Sequence, residues 1–128
     1  MDSPASDIDR AGGPDAVRAL IADFVGRISR DFVIGFLFVG KDLERIVRHE
    51  TELALLQLGG GGAYTGRPIG AVHRALPINR GHFRRRLAFL RTVAREHGVP
   101  EDVIERWMDH NQRLEPVVVD GTDCAPEL

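Results

Sequence analysis

Three side chains in this sequence have types and positions suited to chemistry: the imidazole of His73, the carboxylate of Glu50 and the guanidinium of Arg86. His73 lies in the stretch Tyr64–Phe83, YTGRPIGAVHRALPINRGHF, between Pro68 and Pro77. Proline is accepted in the first turn of a helix, where the N–H it lacks has no partner, and it halts a helix that runs into it. The spacing predicts a short helix bracketed by the two prolines, with Val72 and Leu76 as apolar anchors beside the imidazole. An imidazole in that setting is either a structural histidine or a metal ligand. Glu50 and Arg86 each fall on the apolar stripe of a longer helix. There a carboxylate can move a proton and a guanidinium can stabilise developing negative charge. The same two residues can also snorkel to the edge of the core or pair with each other.

The elements that must position these groups read as helices throughout. Gly12-Gly13-Pro14-Asp15 opens the first long one, in which Val17, Leu20, Ile21, Phe24, Val25 and Ile28 recur at helical spacing to about Arg30. Residues 1–11 are polar and acidic and are expected to be a frayed tail. Phe32–Val39 (FVIGFLFV) is interrupted by Gly35 and followed by Gly40, and is expected to be a buried turn of helix and corner rather than a strand. Asp42 is a good N-cap for a helix running to about Leu58, with Leu43, Ile46, Val47, Glu50, Leu53, Ala54 and Gln57 on one stripe. The glycine run Gly59–Gly62 suits only a loop. A further helix starts at Asn79 or Arg80 and ends near His97, carrying Phe83, Arg86, Leu87, Leu90 and Ala94 inward. The last helix follows Pro100 and places Val103, Ile104, Trp107, Met108 and Leu114 inward, before a loop over 119–128.

Length and composition limit the function classes. A chain of 128 residues with 43% hydrophobic and 28% charged residues suits one globular domain, read here as 12–118. A net charge of −2 gives no ground for nucleic acid or a membrane surface as partner. Cys124 is the single cysteine, so no internal disulfide forms, which fits a reducing compartment. The longest apolar run is too short to span a bilayer and no signal-like segment precedes it, so a cytoplasmic location is expected. Arg80, Arg84, Arg85, Arg86, Arg91 and Arg95 are expected to form a basic face, extended by Arg74, that is solvated, docks an acidic reductase or draws an anionic substrate. It lacks the interleaved aromatics of a nucleic-acid surface. His82 is expected to stabilise the start of its helix, His97 to sit favourably at a helix C-terminus, and His110 to be exposed.

Several of these features in this order resemble the truncated haemoglobins, most nearly their group I. They are the pair Gly12-Gly13 before the first long helix, the glycine loop followed by Tyr64-Thr65-Gly66, and the segment from Val72-His73-Arg74-Ala75-Leu76 through Ile78 to His82-Phe83. The resemblance covers roughly residues 10–118. It implies an all-α, two-over-two helical sandwich enclosing haem b. His73 matches the proximal iron ligand, and a neutral imidazole suits haem iron. Its other N–H would need an acceptor to fix the ring. Phe38 matches the phenylalanine packed on the haem, and Ile46 and Phe83 are further haem-lining positions. Arg45, Tyr64 and Arg74 fall near the haem propionates, where each can equally be a solvated surface residue.

On the distal side the sequence departs from the group I pattern. Val25 stands where a tyrosine usually donates to bound oxygen, Glu50 where a glutamine is usual, and Arg86 where a nonpolar residue is common. Val25 cannot donate a hydrogen bond and an ionised Glu50 would repel bound oxygen, whereas Arg86 can donate, as could a protonated Glu50. The expectation is therefore ligand or redox chemistry with oxygen, nitric oxide, peroxide or a nitrogen–oxygen species, rather than oxygen storage. One alternative is a dedicated peroxidase- or peroxygenase-like haem enzyme, an oxidoreductase in which Glu50 moves the proton and Arg86 stabilises the departing oxygen. This is an analogy of function across different folds. Another is a bis-histidyl electron-transfer or sensor globin, because His49 falls where some cyanobacterial members supply a second axial histidine. A small ligand, a reductase and a monomeric or homodimeric state are the expected partners.

Overall fold

A computed structural model of the chain describes residues 6–59 and 78–118. Among these every regular element is helical: α1 (Asp7–Arg10), α2 (Pro14–Ser29), a 3-10 turn (Gly35–Phe38), α3 (Leu43–Gln57), α4 (Arg80–Glu96), α5 (Glu101–Gln112) and α6 (Glu115–Val118). No described helix is long and apolar enough to cross a membrane.

The core is built around α2. Its Val17, Leu20, Ile21, Phe24, Val25 and Ile28 are all at most 1% exposed, so the stripe read from sequence faces protein along its full length. α2 packs against both α3 and α4, and α4 against α5, whose Val103, Ile104, Trp107 and Met108 complete the core. Entry into α2 depends on Gly12. Its φ of 107° lies in the left-handed region, and a Cβ there would stand 2.8 Å from the Ala16 Cβ.

Two segments differ from expectation. Residues 7–11 are not frayed: Ser6 caps α1 by accepting the Asp9 N–H, Ile8 and Ala11 are buried, and Asp7 and Arg10 pair with Arg106 and Asp102 of α5. The partners lie some ninety residues away, out of reach of a local reading. Phe32–Val39 is a corner, as expected, but it is not buried: Ile34 is 2% exposed, whereas Phe32 is 98%, Val39 78% and Phe36 52% exposed. A 3-10 turn repeats every three residues and turns only a narrow line of side chains inward.

Asp31 organises that corner. Its Oδ2 accepts the N–H groups of Val33 and Ile34, each at 3.0 Å, and both carboxylate oxygens accept from the Arg85 guanidinium of α4. The Arg85 hydrogen bonds, with those two backbone N–H groups, hold the Asp31 carboxyl well below the usual carboxylate range. Gly35 lets the chain double back, since a Cβ there would lie 2.9 Å from the Ser29 carbonyl oxygen.

The arginines of α4 do not form one free basic face. Arg85 pairs with Asp31, Arg86 with Glu50, Arg91 with Glu105, Arg95 with Glu101 and Arg80 with Glu115. Acids on neighbouring elements pair with these five of the row, which the sequence of α4 alone could not reveal. His82 stabilises its helix start as expected. Asn79 Oδ1 accepts the His82 N–H at 2.9 Å while His82 Nδ1 accepts the Asn79 N–H at 3.2 Å, a reciprocal capping box. His97 caps the C-terminal end of α4 and its Nε2 lies 2.9 Å from Asp23 Oδ2; His110 is exposed.

Candidate functional site

The centre of the site is a contact between two helices. Glu50 sits midway along α3 and Arg86 in the second turn of α4, and Arg86 Nη2 donates to Glu50 Oε1 at 2.6 Å. Both side chains are about a fifth exposed (20% for Arg86, 21% for Glu50), so they do not simply snorkel away from each other into solvent. The guanidinium carbon lies 5.2 Å from the centroid of the Phe24 ring on α2, a cation–π arrangement. Val25, the next residue of α2, is 1% exposed. The inward ion pair is thus the arrangement adopted.

Behind the pair runs a chain of polar groups. Arg86 Nη1 donates to Asn111 Oδ1 at 3.3 Å. Asn111 Nδ2 donates to Gln57 Oε1 at 3.2 Å and to the Trp107 carbonyl at 3.0 Å. The Trp107 indole N–H donates to the same Gln57 oxygen at 3.1 Å. Thr51, beside Glu50 on α3, is satisfied within its helix by the Val47 carbonyl at 2.7 Å. Among the described residues no buried side-chain nitrogen or oxygen lacks a hydrogen-bond partner, which is what a low-dielectric interior requires.

Apolar side chains lie on the same elements as this polar centre and on the corner before α3. Phe38 and Ile46 are partly buried against the core, as is Val47, and Phe83 is 3% exposed on α4. The half-exposed Phe36 ring meets the His82 ring edge-on, with centroids 5.4 Å apart. Ile46 and Val47, one turn before Glu50 on α3, and Phe83, one turn before Arg86 on α4, are apolar neighbours that suit a flat, largely apolar prosthetic group. Arg45 stands apart from the pair. It is exposed in the first turn of α3 and lines a surface depression with Arg18, Asp42, Glu44 and Arg48. His49 is half-buried, with Nε2 3.4 Å from Arg48 Nη2. Tyr64, His73 and Arg74 lie outside the described residues.

The sequence reading missed Asn111 and the bridging part played by Gln57. Gln57 was on the α3 stripe, and Asn111 follows Trp107 by four residues on the inner face of α5. A polar residue at that spacing was the available signal.

The family model for bacterial-like globins matches residues 8–119. The group 1 truncated hemoglobin GlbN of Mycolicibacterium paratuberculosis is 29% identical over 118 residues, covering 92% of this chain and 87% of its own length. The group 1 truncated hemoglobin GlbN of Synechocystis is 30% identical over 100 residues, covering 75% of this chain and 81% of its own. Among solved structures, the ferric truncated hemoglobin of Tetrahymena pyriformis superposes with a TM-score of 0.84 at 20% identity, covering 90% of this chain and 98% of that one. The chain belongs to the bacterial-like globins, as a group I-like truncated haemoglobin with the all-α two-over-two fold. Members of that family bind haem and hold small gaseous ligands at its iron.

Proposed function

We propose that this globin binds haem b through His73 and carries out ligand or redox chemistry at the haem rather than oxygen storage. The observation that carries the reading is the Glu50–Arg86 contact of 2.6 Å, with the guanidinium over the Phe24 ring of α2, whose next residue is the buried Val25. Bound haem supplies an iron centre that takes a small ligand and exchanges electrons. Phe38, Ile46 and Phe83 give it apolar walls, and Arg45, Tyr64 and Arg74 are the candidates for its propionates.

The remaining chemistry belongs to side chains. Val25 offers no donor, so a ligand gets no help from α2. Arg86 offers N–H groups and a fixed positive charge that favour a ligand gaining negative charge. Glu50 Oε1 already accepts a proton-bearing nitrogen, and the same carboxylate can take or return a ligand proton. A proton acceptor and a cation held in contact suit peroxide or a small nitrogen–oxygen substrate, and a reductase would return the electrons.

Exposure of the reduced, haem-loaded protein to air tests the preference against storage. The ferrous spectrum is expected to convert to the ferric one quickly, and Val25→Tyr is expected to slow that conversion by adding a donor. A wild-type protein that holds oxygen unchanged for many hours would overturn the reading.

A further inference from the structure

The polar chain behind Arg86 has a direction, and the direction is set by a tryptophan. An indole N–H can only donate. Trp107 is 1% exposed, and its Nε1 finds Gln57 Oε1 at 3.1 Å, so the Gln57 amide must present its oxygen inward. Asn111, also 1% exposed, therefore meets an acceptor at Gln57 and a second acceptor at the Trp107 carbonyl, 3.2 and 3.0 Å from its nitrogen. Both can take only the NH2 group, which leaves Oδ1 aimed at Arg86 Nη1, 3.3 Å away. A flipped amide would set NH2 against a guanidinium and its oxygen against two acceptors.

We propose that Asn111 is the positioning residue for Arg86: its amide, oriented by Trp107 and Gln57, clasps one end of the guanidinium so that Nη2 is held on Glu50. Arginine loses considerable rotamer freedom when fixed, and a pair reaching only one nitrogen would leave the fork free to pivot. The clasp makes α5 part of the site through Arg86. The functional consequence rests on the reading of Arg86 as the cation that faces the ligand; the clasp itself does not.

Two readouts on the haem-loaded protein keep these apart. In protein labelled with 15N-arginine, as the diamagnetic carbon monoxide complex, the Arg86 side chain is expected to show restricted guanidinium rotation. Asn111→Leu is expected to speed that rotation about tenfold, the scale of one hydrogen bond to a charged group. Gln57→Met, at a half-buried position, is expected to act in the same direction and serves if the Asn111 variant does not fold. Arg86 signals equally restrained in the wild type and in these variants would overturn the proposal. The carbon monoxide stretching band provides the second readout. Arg86→Met is expected to shift it by removing a nearby positive charge, and Asn111→Leu to broaden or split it. In the Arg86→Met background, Asn111→Leu is then expected to change nothing further. A band that Arg86→Met leaves in place, with rotation still released by Asn111→Leu, refutes the site reading and leaves the clasp standing.

Discussion

Arg86 Nη2 rests 2.6 Å from Glu50 Oε1, which ties the second turn of α4 to the middle of α3 across the interior of the molecule. A single inward charge at either position would carry a desolvation cost with nothing to offset it, whereas the pair, backed by Asn111 and the Phe24 ring, satisfies both. Such pairs rarely add stability over an apolar replacement of similar volume. Added stability alone therefore does not account for the pair.

Loss of the imidazole should separate haem binding from folding. His73→Ala is expected to lower haem retention sharply or to change the coordination seen in the Soret region, with helical content by circular dichroism largely kept. A variant spectrum identical to that of the wild type would refute His73 as the axial ligand.

Acid should loosen the corner that leads from α2 into α3. The Asp31 carboxyl is depressed by Arg85 and by the Val33 and Ile34 N–H groups, so its contribution is present at pH values above its unfolded value of about 4. The contribution is lost as pH falls below that toward the depressed folded value. Melting temperatures measured from pH 7 down to 3 are expected to fall in the wild type and to fall less steeply in Asp31→Asn, which starts lower. Parallel curves for the two proteins would show that Asp31 contributes nothing to acid sensitivity.

The close approach at Gly35 should tolerate no side chain. A Cβ 2.9 Å from the Ser29 carbonyl oxygen forces the backbone apart. Gly35→Ala is expected to destabilise by about 1–3 kcal/mol, the usual cost of an added methyl in a filled space. Urea titration measures it, and Gly13→Ala is not a suitable control because of its left-handed φ.

How much of this was legible in the sequence follows from how local each determinant is. The α2 stripe was readable because six apolar residues at helical spacing need no knowledge of their partners, and all six are buried. The Asn79–His82 cap was readable for the same reason: both groups belong to one turn. The inward placement of Glu50 and Arg86 followed from two stripes, but their contact did not, since it depends on how α3 packs relative to α4. The Phe32–Val39 corner was misread as buried because apolar composition says nothing of which residues a 3-10 turn leaves outside. Asp7, Arg10 and the α4 arginines were misjudged because their partners are set by tertiary contacts. Asn111 was passed over because its partners Gln57 and Arg86 lie on other helices.

The most direct test of a functional Glu50–Arg86 pair is the rate at which the ferric, haem-loaded protein reacts with hydrogen peroxide in stopped flow, measured for Glu50→Gln and Arg86→Met beside their melting curves. A proton-moving carboxylate and a charge-stabilising guanidinium predict a loss of about a hundredfold for either variant, the usual scale for one positioned group. Rates that stay within a few-fold of wild type, while only the melting temperature moves, would contradict the account and leave the pair a structural one.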